Sequence, residues 1–209
     1  MSQLGILLVS SGIDSPVAAH LMLKRGVELK AVHFNNFPQP DHLSVDAVGK
    51  LIEKLQNIHK EKIKLYVVHN HANQLLIAQK VDHRLHCIIC KRLMYRIAAA
   101  LGKDADFLVT GENLGQVASQ TLENLTILND AVKTEVLRPL LSFDKQETVD
   151  IAKQIGTYEL SCTIKEGCAF VPKHPATRAA LEKVLAEESR LNIDAMVKRS
   201  VEKTSLLCV

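Results

Sequence analysis

A turn of small polar residues, Ser10–Ser15, is the first part of this sequence whose residue types suit a particular chemistry. It follows the apolar run Leu4–Val9 and reads Ser-Ser-Gly-Ile-Asp-Ser. Backbone N–H groups can approach an anion closely where side chains are small, and the N-terminus of a following helix adds a positive dipole. The turn therefore suits a phosphate group. It lacks the Gly-Lys-Ser/Thr of a Walker motif, and its residue types also fit an ordinary capped turn.

The same region predicts where the next helix begins and ends. Ser15 is a good N-cap, and Pro16 stands at the favoured first helical position. Gly26 is expected to end the helix because it follows two basic residues and can adopt a positive φ. The N-terminus of this helix would then point towards the bound phosphate.

Two of the five cysteines form a second motif that is able to do chemistry. Cys87 and Cys90 make a Cys-x-x-Cys pair, which we place directly ahead of a helix that carries Lys91. Zinc sites, redox pairs and iron–sulfur clusters share this motif, and two unrelated thiols would look the same. Zinc needs four closed ligands, whereas three Cys ligands with one open iron would suit a cluster that binds and delivers sulfide. The candidate zinc ligands are Cys87, Cys90, Cys162 and Cys168, with His83 or His86 as substitutes.

The elements that must position these residues alternate along the first two-thirds of the chain. Nearly continuous apolar strands separated by helical patterns indicate an α/β fold with a mainly parallel, doubly wound sheet. Such sheets bind ligands at the carboxyl ends of their strands. From about Tyr158 onward we expect no strand, only a cysteine-containing loop and helices at Thr177–Glu188 and Ile193–Glu202. The five predicted strands are Leu4–Ser10, Leu29–Asn35, Ile63–Val68, Phe107–Thr110 and Val136–Pro139.

These elements fit one domain, residues 1–209, with the sheet core in residues 1–157 and a helical tail in residues 158–209. The composition, 47% apolar and 23% charged, is that of a globular protein. No stretch approaches the roughly 18 apolar residues of a membrane span, and the apolar start lacks the features of a signal peptide. We therefore expect a cytoplasmic protein, in which cysteines more often bind metals or catalyse than form structural disulfides.

The charge balance alone does not predict a nucleic-acid-binding protein. A net charge of +3 is small, and 4% aromatic residues without Trp argue against a platform that stacks many bases. One stretch is nevertheless basic, with Asp82 as its acidic neighbour, and it fits either a contact with a phosphate backbone or a solvated helix face. Its residues are Lys80, His83, Arg84, His86, Lys91, Arg92 and Arg96.

The turn resembles the Ser-Gly-Gly-x-Asp-Ser signature of the PP-loop pyrophosphatase superfamily, whose members cleave ATP between the α- and β-phosphates. Ser11 stands where the signature has its first glycine. Residues 11–26 and the segment Thr110–Leu125 are similar, more narrowly, to the ATP-binding domain of the tRNA 4-thiouridine synthetases (ThiI family). Shorter matches are Val32–Phe34, Lys91–Met94 and Arg138–Lys145.

The resemblance implies a PP-loop fold of the adenine nucleotide alpha hydrolase type and a site for ATP with Mg²⁺. Phe34 would bracket the adenine, Lys91 would neutralise phosphate, and Asp14 would hold Mg²⁺. Asp14 and Ser15, together with Cys168, are the expected catalytic residues. The implied ATP-binding residues are Leu8, Val9, Ser10, Ser11, Gly12, Ile13, Asp14, Ser15, His33, Phe34, Lys91, Gly111 and Gln120.

The resemblance also implies the reaction. A base carbonyl, most simply of a uridine in tRNA, would be adenylated, and sulfur would then displace AMP. Cys168 matches the family's sulfur-relay position, and archaeal-type members with a Cys-x-x-Cys motif are thought to hold an iron–sulfur cluster. Cys87, Cys90 and Cys168 are therefore the candidate ligands of a [4Fe–4S] cluster, with Zn²⁺ as the alternative, Cys162 as a spare and Cys208 as a plain thiol.

The match covers only the family's catalytic domain. We therefore expect a stand-alone form without THUMP or rhodanese domains, which would need a sulfur donor and a separate THUMP-type RNA-binding partner. Two alternatives stay open: a PP-loop enzyme that thiolates a small molecule, as in thiamine-thiazole-related sulfur transfer, and a non-catalytic nucleotide or iron–sulfur carrier. The thiolated position and the oligomeric state, a homo-oligomer included, are also left open.

Overall fold

A six-stranded sheet forms the centre of the computed structural model, which describes residues 2–36, 42–163 and 168–208. The strand order is β5-β4-β1-β2-β3-β6. The first five strands are parallel, and β6 pairs antiparallel with β3. The chain first adds β2 and β3 on one side of β1 and later adds β4 and β5 on its other side. The strand order therefore reverses between β1 and β4. The strands are β1 (Leu4–Val9), β2 (Glu28–Asn35), β3 (Lys64–His69), β4 (Phe107–Val109), β5 (Glu135–Leu137) and β6 (Ser205–Leu207).

Helices cover both faces of this sheet, as the apolar strands require, and the predicted doubly wound α/β fold is confirmed. Among the described residues no helix is both long and apolar enough to cross a membrane. The helices are α1 (Asp14–Leu23), α2 (His42–His59), α3 (His71–Lys80), α4 (His86–Leu101), α5 (Leu122–Asn129), α6 (Lys145–Gln154), α7 (Tyr158–Cys162), α8 (Leu181–Glu188) and α9 (Ile193–Glu202).

Two apolar clusters, one on each side of the sheet, form the core. Successive residues of a strand point to opposite faces, so Leu7 joins one cluster and Ile6 the other. The cluster of Leu7 includes residues of α1, α2 and α6, and the cluster of Ile6 includes residues of α3, α4, α5, α8 and α9. The C-terminal helices therefore complete one of the two layers.

Two predictions about the last third of the chain are wrong. That third does contribute a strand, β6, which the sequence does not signal because it is three residues long and Leu206 is more than half exposed. Helix α8 begins at Leu181, not at Thr177. The side chain of Asn124 donates to the carbonyl of Ala176 and accepts from the N–H of Ala179, which engages backbone groups that a helix would use.

The start of α1 also differs from the prediction. The helix begins at Asp14, and its N-cap residue, Ile13, makes no capping bond with its side chain. Ser15 lies inside the first turn, where its hydroxyl accepts from the N–H of Ser10 at 2.9 Å and donates to the carbonyl oxygen of Ser10 at 3.1 Å. Ser15 thus closes the turn instead of capping the helix. Gly26, with φ of 78°, ends α1 as predicted.

Candidate active site

A cavity of about 260 Å³ lies at the carboxyl ends of β1, β2 and β4, where the strand order reverses. This is the position at which doubly wound sheets bind ligands. Ser11, Gly12 and Ile13 do not line it, whereas Asn36, Met94, Tyr95, Thr110 and Glu112 line it without having been predicted. The predicted ATP-binding residues that do line it are Leu8, Val9, Ser10, Asp14, Ser15, His33, Phe34, Lys91, Gly111 and Gln120.

Gly111 allows the loop after β4 to lie against the start of α1. A Cβ at this position would stand 2.7 Å from the backbone nitrogen of Ser15 and 2.8 Å from the carbonyl carbon of Asp14. Both neighbours are backbone atoms, so a side chain here would displace the first turn of α1. The glycine therefore holds two walls of the cavity together.

Ser11, the residue that departs from the PP-loop signature, is buried, and its φ is not positive. An L-residue therefore occupies this position without the strain that a left-handed conformation would impose. Because its side chain does not line the cavity, we expect Ser11→Gly to leave the affinity for ATP unchanged or to raise it. Titration of ATP binding to both proteins by calorimetry checks this, and a loss of more than tenfold would show that the hydroxyl is a ligand.

Asp14 is held from two sides at the mouth of the turn. Lys145, the first residue of α6, lies 2.7 Å from one carboxylate oxygen, and the amide of Gln116 donates to the other at 3.3 Å. Lys145 is the last residue of the segment Arg138–Lys145 that carried the family resemblance, but no individual role was predicted for it. The arrangement places a cation beside the carboxylate that we expect to hold Mg²⁺.

A buried carboxylate, Glu112, organises the floor of the cavity. One oxygen accepts from Lys91 at 2.8 Å; the other accepts from Arg138 at 2.9 Å and from the hydroxyl of Tyr95. Burial alone would raise the pKa of Glu112, but Lys91 and Arg138 lower it to about 2. Glu112 is therefore ionised at neutral pH and fixes the ammonium group of Lys91 at the cavity wall.

Glu112→Gln is expected to destabilise the fold by roughly 3–5 kcal/mol, because it leaves the buried guanidinium of Arg138 without its counter-charge. The lowered pKa also predicts a pH dependence. The contribution of Glu112 to stability is complete above the ordinary pKa of 4.5 and is lost as the pH falls towards 2. Thermal unfolding measured between pH 7 and pH 2.5 should therefore show that the variant loses less stability on acidification than the wild type does.

The matched control for this variant is Glu123→Gln. Glu123 also pairs with an arginine at 2.9 Å, but that pair is exposed to solvent. Its removal should leave the stability nearly unchanged, because solvent screens an exposed ion pair. Equal losses in the two variants would contradict the assigned role of Glu112.

One side of the cavity combines buried rings with a free acceptor. The imidazole of His33 contacts the carbonyl oxygen of Val9 at 3.1 Å and the hydroxyl of Ser44 at 3.0 Å, so it ties β1 to α2. Phe34 is buried beside it. The side-chain oxygen of Gln120 is buried and has no hydrogen-bond partner among the described residues. It can accept from a ligand amino group.

A second cavity, of about 480 Å³, adjoins the first and shares Asn36, Lys91 and Met94 with it. Cys87, Cys90 and Cys168 all line this second cavity, which we call the thiol cavity. The Cys-x-x-Cys motif lies inside the first turns of α4, not ahead of the helix as predicted, so both thiols are on one helix face.

The remaining two cysteines lie elsewhere. Cys162 is exposed at the end of α7, where its hydrogen bond raises the pKa of Tyr158, and Cys208 is exposed after β6. Neither lines the thiol cavity. The structure thus separates the three candidate ligands from the spare thiol and the C-terminal one.

The three thiols of the cavity influence one another. Burial, then the proximity of Cys168 and Cys87, raises the pKa of Cys90 to about 12. Burial and Cys168 also raise the pKa of Cys87. Soft thiolate ligands suit zinc or an iron–sulfur cluster, and a bound cation would stabilise the thiolate forms. In the described segments, however, no three His, Cys, Asp or Glu side chains are arranged closely enough to hold a metal ion.

Only part of the predicted basic face is exposed to solvent, because several of its residues are buried or paired with acidic side chains. Arg92 is fully buried and forms ion pairs with Glu188 at 2.8 Å and Asp130 at 3.1 Å. Arg96 also pairs with Glu188, and Lys91 pairs with Glu112. These acidic partners come from elements distant in sequence, which is why the local charge count was misleading. Of the seven residues in the stretch, Lys80, His83 and Arg84 are exposed.

The fold and the turn at the end of β1 define a nucleotide-binding domain of the PP-loop class. The chain belongs to the ThiI family, because the family model described as thiamine biosynthesis protein (ThiI) matches residues 1–193. The family membership expected from the sequence resemblance is thereby confirmed.

Curated relatives and solved structures agree with this assignment. The chain is 45% identical, over 98% of its length, to a probable tRNA sulfurtransferase of Acetivibrio thermocellus, and 42% identical, over 97%, to one of Halothermothrix orenii. It covers 53% and 52% of those proteins, so it spans about half the length of the curated relatives it matches.

One solved structure matches almost the whole chain. A crystal structure of a 4-thiouridine synthetase–RNA complex with bound ATP superposes with a TM-score of 0.93 at 34% identity, covering 98% of this chain and 55% of that one. An NMN synthetase from Francisella tularensis, at 16% identity and a TM-score of 0.55, shares the fold alone.

Proposed function

We propose that this chain, acting as one domain, is the ATP-dependent catalytic part of a tRNA sulfurtransferase that thiolates a uridine. The observation that carries the proposal is the pair of adjoining cavities. One is closed by the phosphate-type turn, the other is lined by three thiols, and Lys91 stands in the wall between them. The tRNA sulfurtransferases and the ATP-bound 4-thiouridine synthetase among its relatives support this assignment.

In the first step the carbonyl oxygen of the base attacks the α-phosphorus of ATP. The bond from that phosphorus to the bridging oxygen breaks, and pyrophosphate leaves with the electron pair. The N-terminus of α1, whose residues Asp14 and Ser15 line the cavity, stabilises the leaving charge, as preorganised donors do in phosphoryl transfer. Lys91 balances charge from the opposite wall, while Phe34 and the free oxygen of Gln120 hold the adenine.

The carboxylate of Asp14 fits Mg²⁺, since this ion commonly takes one or two protein carboxylates together with substrate phosphates. When bound, Mg²⁺ neutralises the leaving pyrophosphate. Lys145 now occupies one oxygen of Asp14. Transfer of Asp14 to the ion would release the ammonium group of Lys145 towards the phosphates, so both residues serve the same leaving group.

In the second step sulfur attacks the activated carbon, and AMP leaves with the original oxygen. We assign the sulfur-carrying role to Cys168, which lines the thiol cavity beside the proposed ATP site. A [4Fe–4S] cluster, or zinc as the alternative, would take Cys87, Cys90 and Cys168 as ligands, which requires these thiols to move closer together than they lie here. A cluster with an open iron would supply sulfide. A separate sulfur donor and a THUMP-type RNA-binding partner complete the system.

Incubation with ATP, Mg²⁺, bulk unmodified tRNA and sulfide tests the proposal. Thiolated RNA is retarded in a mercury-containing gel, so the expected result is a retarded band that requires ATP. Cys208→Ala is the control and should thiolate normally. ATP cleavage to AMP without any retarded RNA, with the RNA-binding partner present, would contradict the tRNA assignment.

A second candidate is thiolation of a small molecule, which the thiamine-related description of the family model favours. Transfer of labelled sulfur separates the two. Label recovered in RNA supports the first candidate, and label recovered in a small heterocycle supports the second. Binding of ATP without any pyrophosphate release would instead indicate a carrier.

A further inference from the structure

A chain of hydrogen bonds runs along the wall shared by the two cavities. The side-chain oxygen of Asn36 accepts from Asn70 at 2.9 Å and from Gln74 at 3.1 Å. These two donors fix which end of the Asn36 amide is oxygen. The amide nitrogen of Asn36 is a donor for which no partner is found among the described residues, and Asn36 borders both cavities.

The other end of this chain is a buried histidine. His86 is 1% exposed, lines the thiol cavity, and its Nε2 lies 2.6 Å from the side-chain oxygen of Gln74. Since that oxygen can only accept, Nε2 carries the proton and Nδ1 presents a bare lone pair. Nδ1 is buried and has no hydrogen-bond partner in the described part of the chain.

An aromatic ring covers one face of this imidazole. The ring of Phe170 stacks on the imidazole at 5.5 Å between centroids and 3° between planes, which shields its face. A buried acceptor without a partner costs free energy, so the arrangement is explained if a ligand donates to Nδ1.

We infer that the thiol cavity receives the acceptor base and that Asn36 and His86 read the imide edge of uracil. The amide of Asn36 donates to the 4-carbonyl oxygen, and Nδ1 of His86 accepts from the N3–H. Cytosine presents the opposite pattern, an amino donor at C4 and an acceptor at N3, and would leave both protein groups mismatched. This inference rests on the proposed function, in which the 4-oxygen must face ATP and C4 must face a sulfur.

The cavity's position and lining agree with this ligand. Asn36 stands in the wall shared with the ATP cavity, so the oxygen that it contacts lies on the ATP side. Ile88, Val117 and Ala176 supply apolar walls that suit a planar ring. The three thiols lie in the same cavity, where sulfur must arrive.

Nucleoside binding tests the inference without requiring turnover. Uridine, cytidine and 3-methyluridine are titrated into the protein in the presence of a non-hydrolysable ATP analogue, and imidazole ¹⁵N shifts are followed by NMR. Uridine should bind about tenfold more tightly than the other two. The free protein should show His86 protonated at Nε2, and uridine should shift the Nδ1 resonance.

Two variants separate recognition from folding. Asn36→Asp keeps the oxygen that accepts from Asn70 and Gln74 but removes the free donor, and His86→Phe keeps a ring that can stack on Phe170 but removes the acceptor. Both should lose the preference for uridine. His83→Phe is the matched control, because the exposed His83 does not line the cavity, and it should keep the preference.

Equal binding of the three nucleosides, no saturable binding of uridine, or a proton on Nδ1 would each overturn the inference. Purified protein with zinc bound to His86 would overturn it as well. Failure of the proposed function is distinguishable: it would appear as absent ATP-to-AMP cleavage in the wild type. Loss of base preference alone leaves that cleavage measurable.

Discussion

Replacing Asp14 or Ser15 by alanine is expected to lower the cleavage of ATP to AMP and pyrophosphate at least a hundredfold. Asp14→Ala removes the carboxylate that would hold Mg²⁺ on the leaving group, and loss of one such electrostatic contact typically costs about 10²–10³ in rate. Ser15→Ala opens the turn, because its hydroxyl makes both bonds to the backbone of Ser10. Pyrophosphate release under saturating ATP and acceptor RNA is the measurement.

Stability distinguishes a damaged site from a damaged fold in these variants. The ion pair of Asp14 is partly exposed, with Lys145 half-exposed, so its loss should cost less than about 1 kcal/mol. Ser15→Ala removes buried hydrogen bonds and should cost about 1–2 kcal/mol. Asp104→Ala, which breaks a similarly short surface pair with Lys30, is the control and should cleave ATP normally. Wild-type turnover in both site variants would contradict the PP-loop interpretation.

The second large effect is expected at the thiol cavity. Cys87→Ala, Cys90→Ala and Cys168→Ala should each reduce tRNA thiolation to background and remove cluster absorbance from anaerobically purified protein. ATP binding should persist, because the proposed ATP site is the neighbouring cavity. Absorption spectra, iron and zinc analysis and ATP titration on each variant provide the measurements.

Cys162→Ala and Cys208→Ala are the matched controls, since both thiols are exposed and away from the cavity. They should thiolate normally. Stoichiometric zinc without iron in the wild type would show that the site binds a structural metal and not a cluster. Thiolation by Cys168→Ala would remove that residue from the sulfur path.

Features that depend on neighbouring residues in sequence could be predicted. The turn at Ser10–Ser15 and the end of α1 at Gly26 follow from local residue types, and the parallel strands follow from their apolar runs. Cys168 and the Cys-x-x-Cys motif line one cavity, but the motif lies within α4 and Cys168 follows α7, so neither is in a loop directly after a strand.

Features that depend on partners distant in sequence could not be predicted. The burial of Arg92 requires Glu188 from α8, and the position of Lys91 requires Glu112 from the loop after β4. Strand β6 forms because the edge of β3 offers unpaired backbone groups, not because its own residues favour a strand. The hydrogen bonds that orient His86 join α3, α4 and the residue after β2, and no local pattern marks them.

The central claim is that the cavity at the end of β1 cleaves ATP between its α- and β-phosphates to activate a base. The most direct measurement follows ATP labelled at the α- or the γ-phosphate through a reaction with the protein, Mg²⁺, sulfide and unmodified tRNA. We expect labelled AMP from the first and labelled pyrophosphate from the second, in equal amounts and dependent on the RNA. Labelled ADP and free phosphate would contradict the account.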